Sequence, residues 1–362
     1  MRVSLGGVVA AATVVLASAM NVAVAQAAPV PGWRIVEAGS PTGDMFADIV
    51  ATGPGDAWAF GSNGPERWNG KTWQVYTGSN APVGDASDNP IRVSASSPDN
   101  IWVSWGSGVG QFLYHWNGKG WTTTTAPVAH YVMGLTTTGP NDAWMFGDTS
   151  PDPKHGIFKP LARHFDGKTW RTVAGPGYVS QVSAVSRTNI WALSTNGPNG
   201  NRTVAAHWNG RSWTTILLPD LRLPKKIWAS PAAIYASSAS NVWVTESVLR
   251  LPNLNPAGAV LLHWNGRSWS RITAGGPTDS LSTVAPDGSG GLWIQTQYGN
   301  FLHGIIHYSH GTWKRFPLPT RQGWASGLMG MAQVPGTGSV WGSGWLQHNG
   351  QLPLATIFKF GR

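Results

Sequence analysis

Histidine, carboxylate and tryptophan are the residues of this chain that could do chemistry, and their spacing sorts them. The 362 residues include 10 His and 16 Asp plus Glu, with no Cys. Without Cys there is no thiolate nucleophile, no Cys-bound metal and no disulfide. Five histidines, His115, His164, His207, His263 and His307, each stand just before an aromatic residue, and Arg67 and Lys359 take the same place near the two ends. Such regular placement points to an inter-strand or surface role, not to a metal. His130, His155, His303 and His348 fall outside the pattern and are scattered, so no shared zinc set is expected, and no cofactor.

The carboxylates divide similarly. Asp56, Asp99 and Asp142 recur in one phrase and read as turn residues, whose side chains bond their own backbone. Asp44, Asp48, Asp85, Asp88, Asp148, Asp152, Asp220, Glu246 and Asp279 stand outside the recurring phrases. A glycosidase needs two carboxylates facing one another, and spacing alone brings no two of these together. There is no Gly-x-Ser-x-Gly elbow, phosphate loop or His-Glu-x-x-His helix.

The elements that must position these residues are set by seven tryptophans: Trp58, Trp102, Trp144, Trp191, Trp243, Trp293 and Trp341, at gaps of 44, 42, 47, 52, 50 and 48 residues. A period of about 40–50 residues built of strand-like pieces signals a propeller. In the second repeat, Ile91 to Ala95 alternates, Ser97 to Asn100 turns, and Ile101 to Ser104 is rich in β-branched and aromatic residues. Gln111 to Trp116 follows, then Asn117-Gly118 and Trp121 to Thr124. Asn-Gly predicts a two-residue type I′ hairpin. Four strands per repeat make one antiparallel blade. The last repeat stops at its third strand, Thr356 to Phe360, while Trp33 to Val36 resembles an orphan fourth strand. We therefore expect an all-β, seven-bladed β-propeller, closed by the N-terminal strand pairing in the last blade.

Asp56-Ala57-Trp58-Ala59-Phe60-Gly61 and Asn141-Asp142-Ala143-Trp144-Met145-Phe146-Gly147 stand where kelch and galactose-oxidase-type propellers have their second strand. The chain resembles that family over nearly all of residues 31–362. The resemblance implies the propeller architecture. The oxidase chemistry is not implied, because the Cys of its crosslinked cofactor is absent, as is the family's usual Gly-Gly after the second strand.

Loop regularity distinguishes two faces. Turns from first to second strand are short in each repeat, and the third-to-fourth hairpins are uniform, so that side reads as structural. The connections on the opposite side vary, for example Thr77 to Pro90, Asp148 to Phe158, Pro219 to Pro231 and Leu249 to Gly258. Variable loops on a rigid scaffold are the usual place for recognition. Of the 22 Trp, 18 fall on repeat positions and read as core; Trp105, Trp228, Trp324 and Trp345 fall in or beside variable-side loops. The candidate binding residues are Trp105, His130, Tyr131, Asp148, Trp228, Glu246, Tyr298, Arg321, Trp324 and Trp345. Counting ten back from each repeat Trp gives Asp48, Arg92, Gly134, Gln181, Ala233, Thr283 and Met331, which by two-residue alternation are expected to line the central channel.

Residues 1–27 read as a secretory signal peptide: Arg2, an apolar stretch from Val8 to Ala19, and small residues at Ala23, Ala25 and Ala27. Residues 28–362 are then one propeller domain, secreted, with no transmembrane segment after cleavage. The formal net charge of +9 favours anionic partners, while the lack of a basic stripe argues against nucleic acid. These features together suggest a monomeric, non-catalytic binding protein for a glycan or cell-wall polymer. A protein-interaction scaffold and a propeller-type lyase or glycoside hydrolase are the alternatives.

Overall fold

The computed structural model describes residues 32–39, 44–83, 91–107, 110–125, 131–149, 158–195, 203–273, 280–298 and 302–361. The proposed signal segment, His130, Asp85, Asp88, Asp152, His155 and Asp279 lie outside them. Among the described residues all regular structure is β, and it forms seven four-stranded antiparallel sheets.

The chain opens with β1 (Trp33–Ala38). Blade one is β2 (Phe46–Gly53), β3 (Asp56–Gly61), β4 (Gly64–Trp68) and β5 (Trp73–Val75). Blade two is β6 (Arg92–Ser97), β7 (Asn100–Ser107), β8 (Gly110–Trp116) and β9 (Trp121–Thr125). Blade three is β10 (Val132–Gly139), β11 (Asp142–Asp148), β12 (Pro160–Phe165) and β13 (Trp170–Val173). Blade four is β14 (Tyr178–Ser186), β15 (Asn189–Thr195), β16 (Thr203–Trp208) and β17 (Trp213–Ile216). Blade five is β18 (Ile227–Ser238), β19 (Asn241–Arg250), β20 (Asn255–Trp264) and β21 (Trp269–Thr273). Blade six is β22 (Ser280–Pro286), β23 (Leu292–Tyr298), β24 (Leu302–Ser309) and β25 (Thr312–Pro317). Blade seven is β26 (Trp324–Gln333), β27 (Val340–His348), β28 (Leu354–Phe360) and, returning from the N-terminus, β1.

The first strand of each blade touches the first strand of the next, from β2 through β26 and back to β2, which makes the ring. Closure is as expected: Trp33 pairs Phe360, Arg34 pairs Lys359 and Ile35 pairs Phe358. The Trp33 ring then lies edge-on to Trp293 of blade six at 5.5 Å and 88°. Between blades, the repeat tryptophans fill the core, so that Trp58, Trp191, Trp293 and Trp341 are fully buried.

One repeated device locks each blade. The third-strand histidine lies on the second-strand tryptophan, as with Trp102 and His115 at 4.0 Å and 11°, or Trp243 and His263 at 4.0 Å and 18°. Its Nε2–H donates to the turn residue: His115 to Asn100 (2.8 Å), His207 to Asn189 (2.9 Å) and His263 to Asn241 (2.7 Å). His164 and His307 use Asp142 (2.7 Å) and Asp287 (2.8 Å) instead. In blade one Arg67 pairs Asp56 at 2.7 Å and lies over Trp58, and in blade seven the Lys359 ammonium sits 4.4 Å from the centre of the Trp341 ring. The inter-strand role read from histidine spacing is therefore the observed one.

The hairpins differ from the expected type I′ turn. Trp116 pairs Trp121 and Trp68 pairs Trp73, which leaves four-residue loops. The Asn117 carboxamide oxygen accepts from the N–H of Lys119 (3.0 Å) and Gly120 (3.1 Å). Asn69, Asp166, Asn209 and Asn265 repeat this. The side chain substitutes for a backbone turn bond, and only the following glycine enters the left-handed region, with Gly118 at φ 85°.

Candidate functional site

The central channel comes first. A cavity of about 470 Å³ is lined by residues of β2, β6, β14, β18, β22 and β26. Asp48, Gln181, Ala233, Thr283 and Met331 of the expected set are there, but so are Ile49, Val93, Val182, Ile234, Val284 and Ala332 from the other phase of the alternation. The reason is geometric: each first strand is a sheet edge turned toward the axis, so the wall is made of strand edges and not of one side-chain face. Asp48 is its lone carboxylate among the described lining residues. Burial raises its carboxyl to about 6, against the opposing pull of the Ile49 N–H and the Arg92 charge. Arg92 is itself committed, donating to the Met133 carbonyl at 2.8 Å and the Ile91 carbonyl at 3.1 Å.

The variable-loop candidates fall into groups on separate blades. In blade three the Tyr131 N–H donates to Asp148 at 3.2 Å. In blade seven the Arg321 guanidinium lies 5.8 Å from the Trp324 ring, and Trp324 sits beside His348 at 5.4 Å. Trp345 lies over Gly327, where any added Cβ would meet its indole at 2.2 Å. Tyr298 pairs Leu302 at the end of β23.

Trp105 is a correction. It is 1% exposed, within the apolar cluster of Trp58, Ile101, Val103 and Trp121. β7 runs on to Ser107, past the expected end at Ser104, so Trp105 keeps the phase of Ile101 and Val103 and points into the core between blades. It is not a surface contact.

Blade five carries the most developed site. Its β18, β19 and β20 have 12, 10 and 10 residues, the longest set in the ring. Parts of the supposed loops Pro219 to Pro231 and Leu249 to Gly258 are strand extensions, with Ile227 paired to Arg250, Trp228 to Leu249 and Leu249 to Pro256. The segment entering β18 is tied down locally: Asp220 accepts from the Arg222 N–H at 2.9 Å and Ile227 N–H donates to the Pro224 carbonyl at 3.0 Å. Leu218 and Leu221 plug the core between blades four and five.

Above that plug lies a cavity of about 400 Å³, bounded by Asp220, Leu223, Trp228, Pro231, Glu246 and Thr203, among others. Trp228 is 50% exposed, whereas Glu246 is 4% exposed. Glu246 occupies the phase of Val242, Val244 and Val248, an apolar stripe facing blade four. Its carboxylate has no hydrogen bond or ion pair among the described residues. Burial raises it to about 7, and the Arg271 charge offsets part of that rise. Arg271 is exposed and donates to the Leu221 carbonyl at 3.3 Å.

Two further features were missed in the sequence. Glu66 on β4 is raised to about 7 by burial and then by the charges of Glu37 and Asp44. Asp44 is a loop anchor, accepting from the N–H groups of Met45 (2.8 Å), Ser62 (2.8 Å) and Asn63 (3.1 Å). On the hairpin side, read from the sequence as structural, a cavity of about 560 Å³ is lined by Trp144, Trp208, Trp213, Arg187 and Arg211. There His164 and Asp142 bond each other at 2.7 Å. Among the described residues no group of three or more His, Asp and Glu is arranged to hold a metal, and no helix is long and apolar enough to cross a membrane.

No protein-family model matches the chain, and no curated protein does. Membership of the kelch type is thus not shown, while the propeller architecture that the resemblance implied is present. Solved structures share the fold. One is described as YCF48 bound to D1 peptide (TM-score 0.58, 12% identity, 92% of this chain and 96% of that one). Another is a GH74 xyloglucanase from Xanthomonas campestris (TM-score 0.58, 15% identity, 90% of this chain, which spans 55% of the xyloglucanase). A third is the SapL1 lectin in complex with alpha methyl fucoside (TM-score 0.50, 15% identity, 78% of this chain and all of the lectin). At these identities the likeness is one of fold.

Proposed function

We propose that this protein is an exported, non-catalytic binding protein that holds a glycan or cell-wall polymer on its variable-loop face, at the blade-five cavity. One observation carries the reading: a half-exposed indole, Trp228, and a buried carboxylate without a partner among the described residues, Glu246, share one cavity of about 400 Å³. Its size falls in the range of small-molecule sites. An aromatic face suits the apolar side of a sugar ring, and an unsatisfied carboxylate is a strong acceptor for ligand donors. Tyr131, Asp148, Arg321, Trp324 and Trp345 would contact the outlying parts of a long polymer. That propellers of similar fold include a fucoside-binding lectin is consistent with this reading.

The test is a binding screen of soluble wall polymers and oligosaccharides, run on wild type and Trp228→Ala. The reading expects at least one glycan ligand and a loss of about tenfold or more in affinity in the variant. No glycan binding, or binding indifferent to Trp228, would sink it. A second reading, glycoside hydrolysis, draws on Asp220 and Glu246 lining the same cavity; turnover of a bound glycan, abolished in Glu246→Gln, would favour it instead.

A further inference from the structure

We infer that the blade-five cavity selects a sugar unit carrying a free amine, with Glu246 as the counter-ion of its ammonium group and Trp228 as the platform for its ring. The inference rests on the glycan reading above and sharpens its ligand class. It begins from a charge imbalance. The chain has 25 Lys and Arg against 16 Asp and Glu, yet among the described residues no basic side chain pairs with Glu246. Arg271, whose charge reaches Glu246, turns its guanidinium to the Leu221 carbonyl and is exposed to solvent. Asp220, the other charged group on the cavity wall, adds negative charge, and its own bond is to the Arg222 backbone. Leu218, Leu221, Leu223, Ile227 and Pro231 offer no donor side chain, and the donors on the wall, the Thr203 hydroxyl and the Trp228 indole N–H, are neutral.

A buried carboxylate without a partner is costly, and a cation that completes the pair recovers that cost on binding. A neutral hydroxyl would supply a single hydrogen bond, whereas an ammonium supplies charge and up to three donors. The rigid pyranose also matters. An amine fixed directly on the ring meets Glu246 while the ring's C–H face covers Trp228, so one unit satisfies both features with little rotor entropy lost. The net charge of +9 opposes a free cation at long range, but that repulsion is screened within about 8 Å at physiological ionic strength. Inside the cavity the local field is that of the carboxylates.

The experiment is calorimetric titration of the protein with glucosamine tetramer and with its fully N-acetylated counterpart, repeated on Glu246→Gln and Trp228→Ala. We expect the free-amine oligomer to bind tighter by about 10–100-fold, the difference a charge-assisted contact supports. Glu246→Gln should erase that preference, bringing the two oligomers to within about twofold of each other. Trp228→Ala should weaken both oligomers. If both bind equally, or the preference survives Glu246→Gln, the amine inference is overturned while the glycan reading stands. If neither oligomer binds but a lysine-rich peptide does, in a Glu246-dependent way, the pocket reads protein side chains and both statements fail. Failure of every probe overturns the amine inference, while the glycan reading stands or falls on the wider polymer screen. Circular dichroism of each variant checks that the sheet fold is intact.

Discussion

Glu246 stands between Val244 and Val248 in the buried stripe of β19, and its acidity reports that position. Its folded-state value is raised to about 7 from the ordinary 4.5. The group is neutral in both states below about 4.5, and the stability it then leaves intact is lost as pH rises through about 7. Relative to Glu246→Gln, the wild type should lose on the order of 2–3 kcal/mol between pH 5 and pH 8 in chemical denaturation. An offset between the two proteins that is the same at both pH values would mean Glu246 is solvated. Trp105 gives a second residue-scale prediction. As a buried core residue its truncation to Ala should cost about 3–5 kcal/mol; Trp324→Ala, on the partly open face, should cost about 1 kcal/mol or less. Equal costs would contradict the burial difference. Both residues lay within reach of sequence reasoning, to different extents. The run Val242-x-Val244-x-Glu246-x-Val248 already puts a carboxylate on an apolar face, a signal that alternation alone supplies. Trp105 was misread because the end of β7 depends on pairing with β8, where Trp105 meets Phe112, and that partner register is not local information.

At the scale of the element, the Trp–His–Asx lock was legible because it repeats: seven basic residues in one register point to one structural job. What spacing did not show is that the lock comes in two electrostatic versions. His115, His207 and His263 face Asn, and burial lowers each of them from the usual histidine value. Such groups are neutral in the fold, so their contribution is intact above about 6.5 and is lost as pH falls from there through the lowered folded value. Asn189→Asp would give blade four the Asp–His arrangement of blades three and six. The new carboxylate should raise the pKa of His207 and slow the acid loss of stability, because the imidazolium gains a partner at 2.9 Å from the existing Nε2. NMR titration of the His207 ring would show this; an unmoved or lowered midpoint would rule out the exchange. The blade-five extensions were not legible at this scale. Pro219, Pro224, Pro231, Pro252 and Pro256 punctuate that stretch in the sequence and read as loop, yet β18 runs through Pro231 at a bulge, where its missing N–H costs no regular ladder bond.

At the scale of the whole molecule, the ring depends on one short N-terminal strand. The repeat count predicted it: seven second-strand tryptophans, six fourth strands in sequence, and Trp33 left over. β1 gives the last blade its fourth strand by covering β28, which would otherwise be that blade's outer edge. The contact is more than a ladder. Trp33 is buried, packs at 5.9 Å against Phe360 and reaches across to Trp293 of blade six, so it staples two blades as well as two chain ends. Removing residues through Ala38 should therefore lower stability by several kcal/mol, by deleting ladder bonds and emptying a Trp-sized site. It should also expose β28 as a template for other edges, so the truncated protein should self-associate in sedimentation. A synthetic peptide of residues 32–39 added in trans should restore the thermal midpoint and the monomeric sedimentation behaviour, because it supplies the same strand and the same indole. The same peptide with Trp33→Ala should restore much less, since it keeps the ladder and loses the staple. A truncated protein that melts at the wild-type temperature, or full rescue by the Trp33→Ala peptide, would show that closure depends on the other blades and not on this strand.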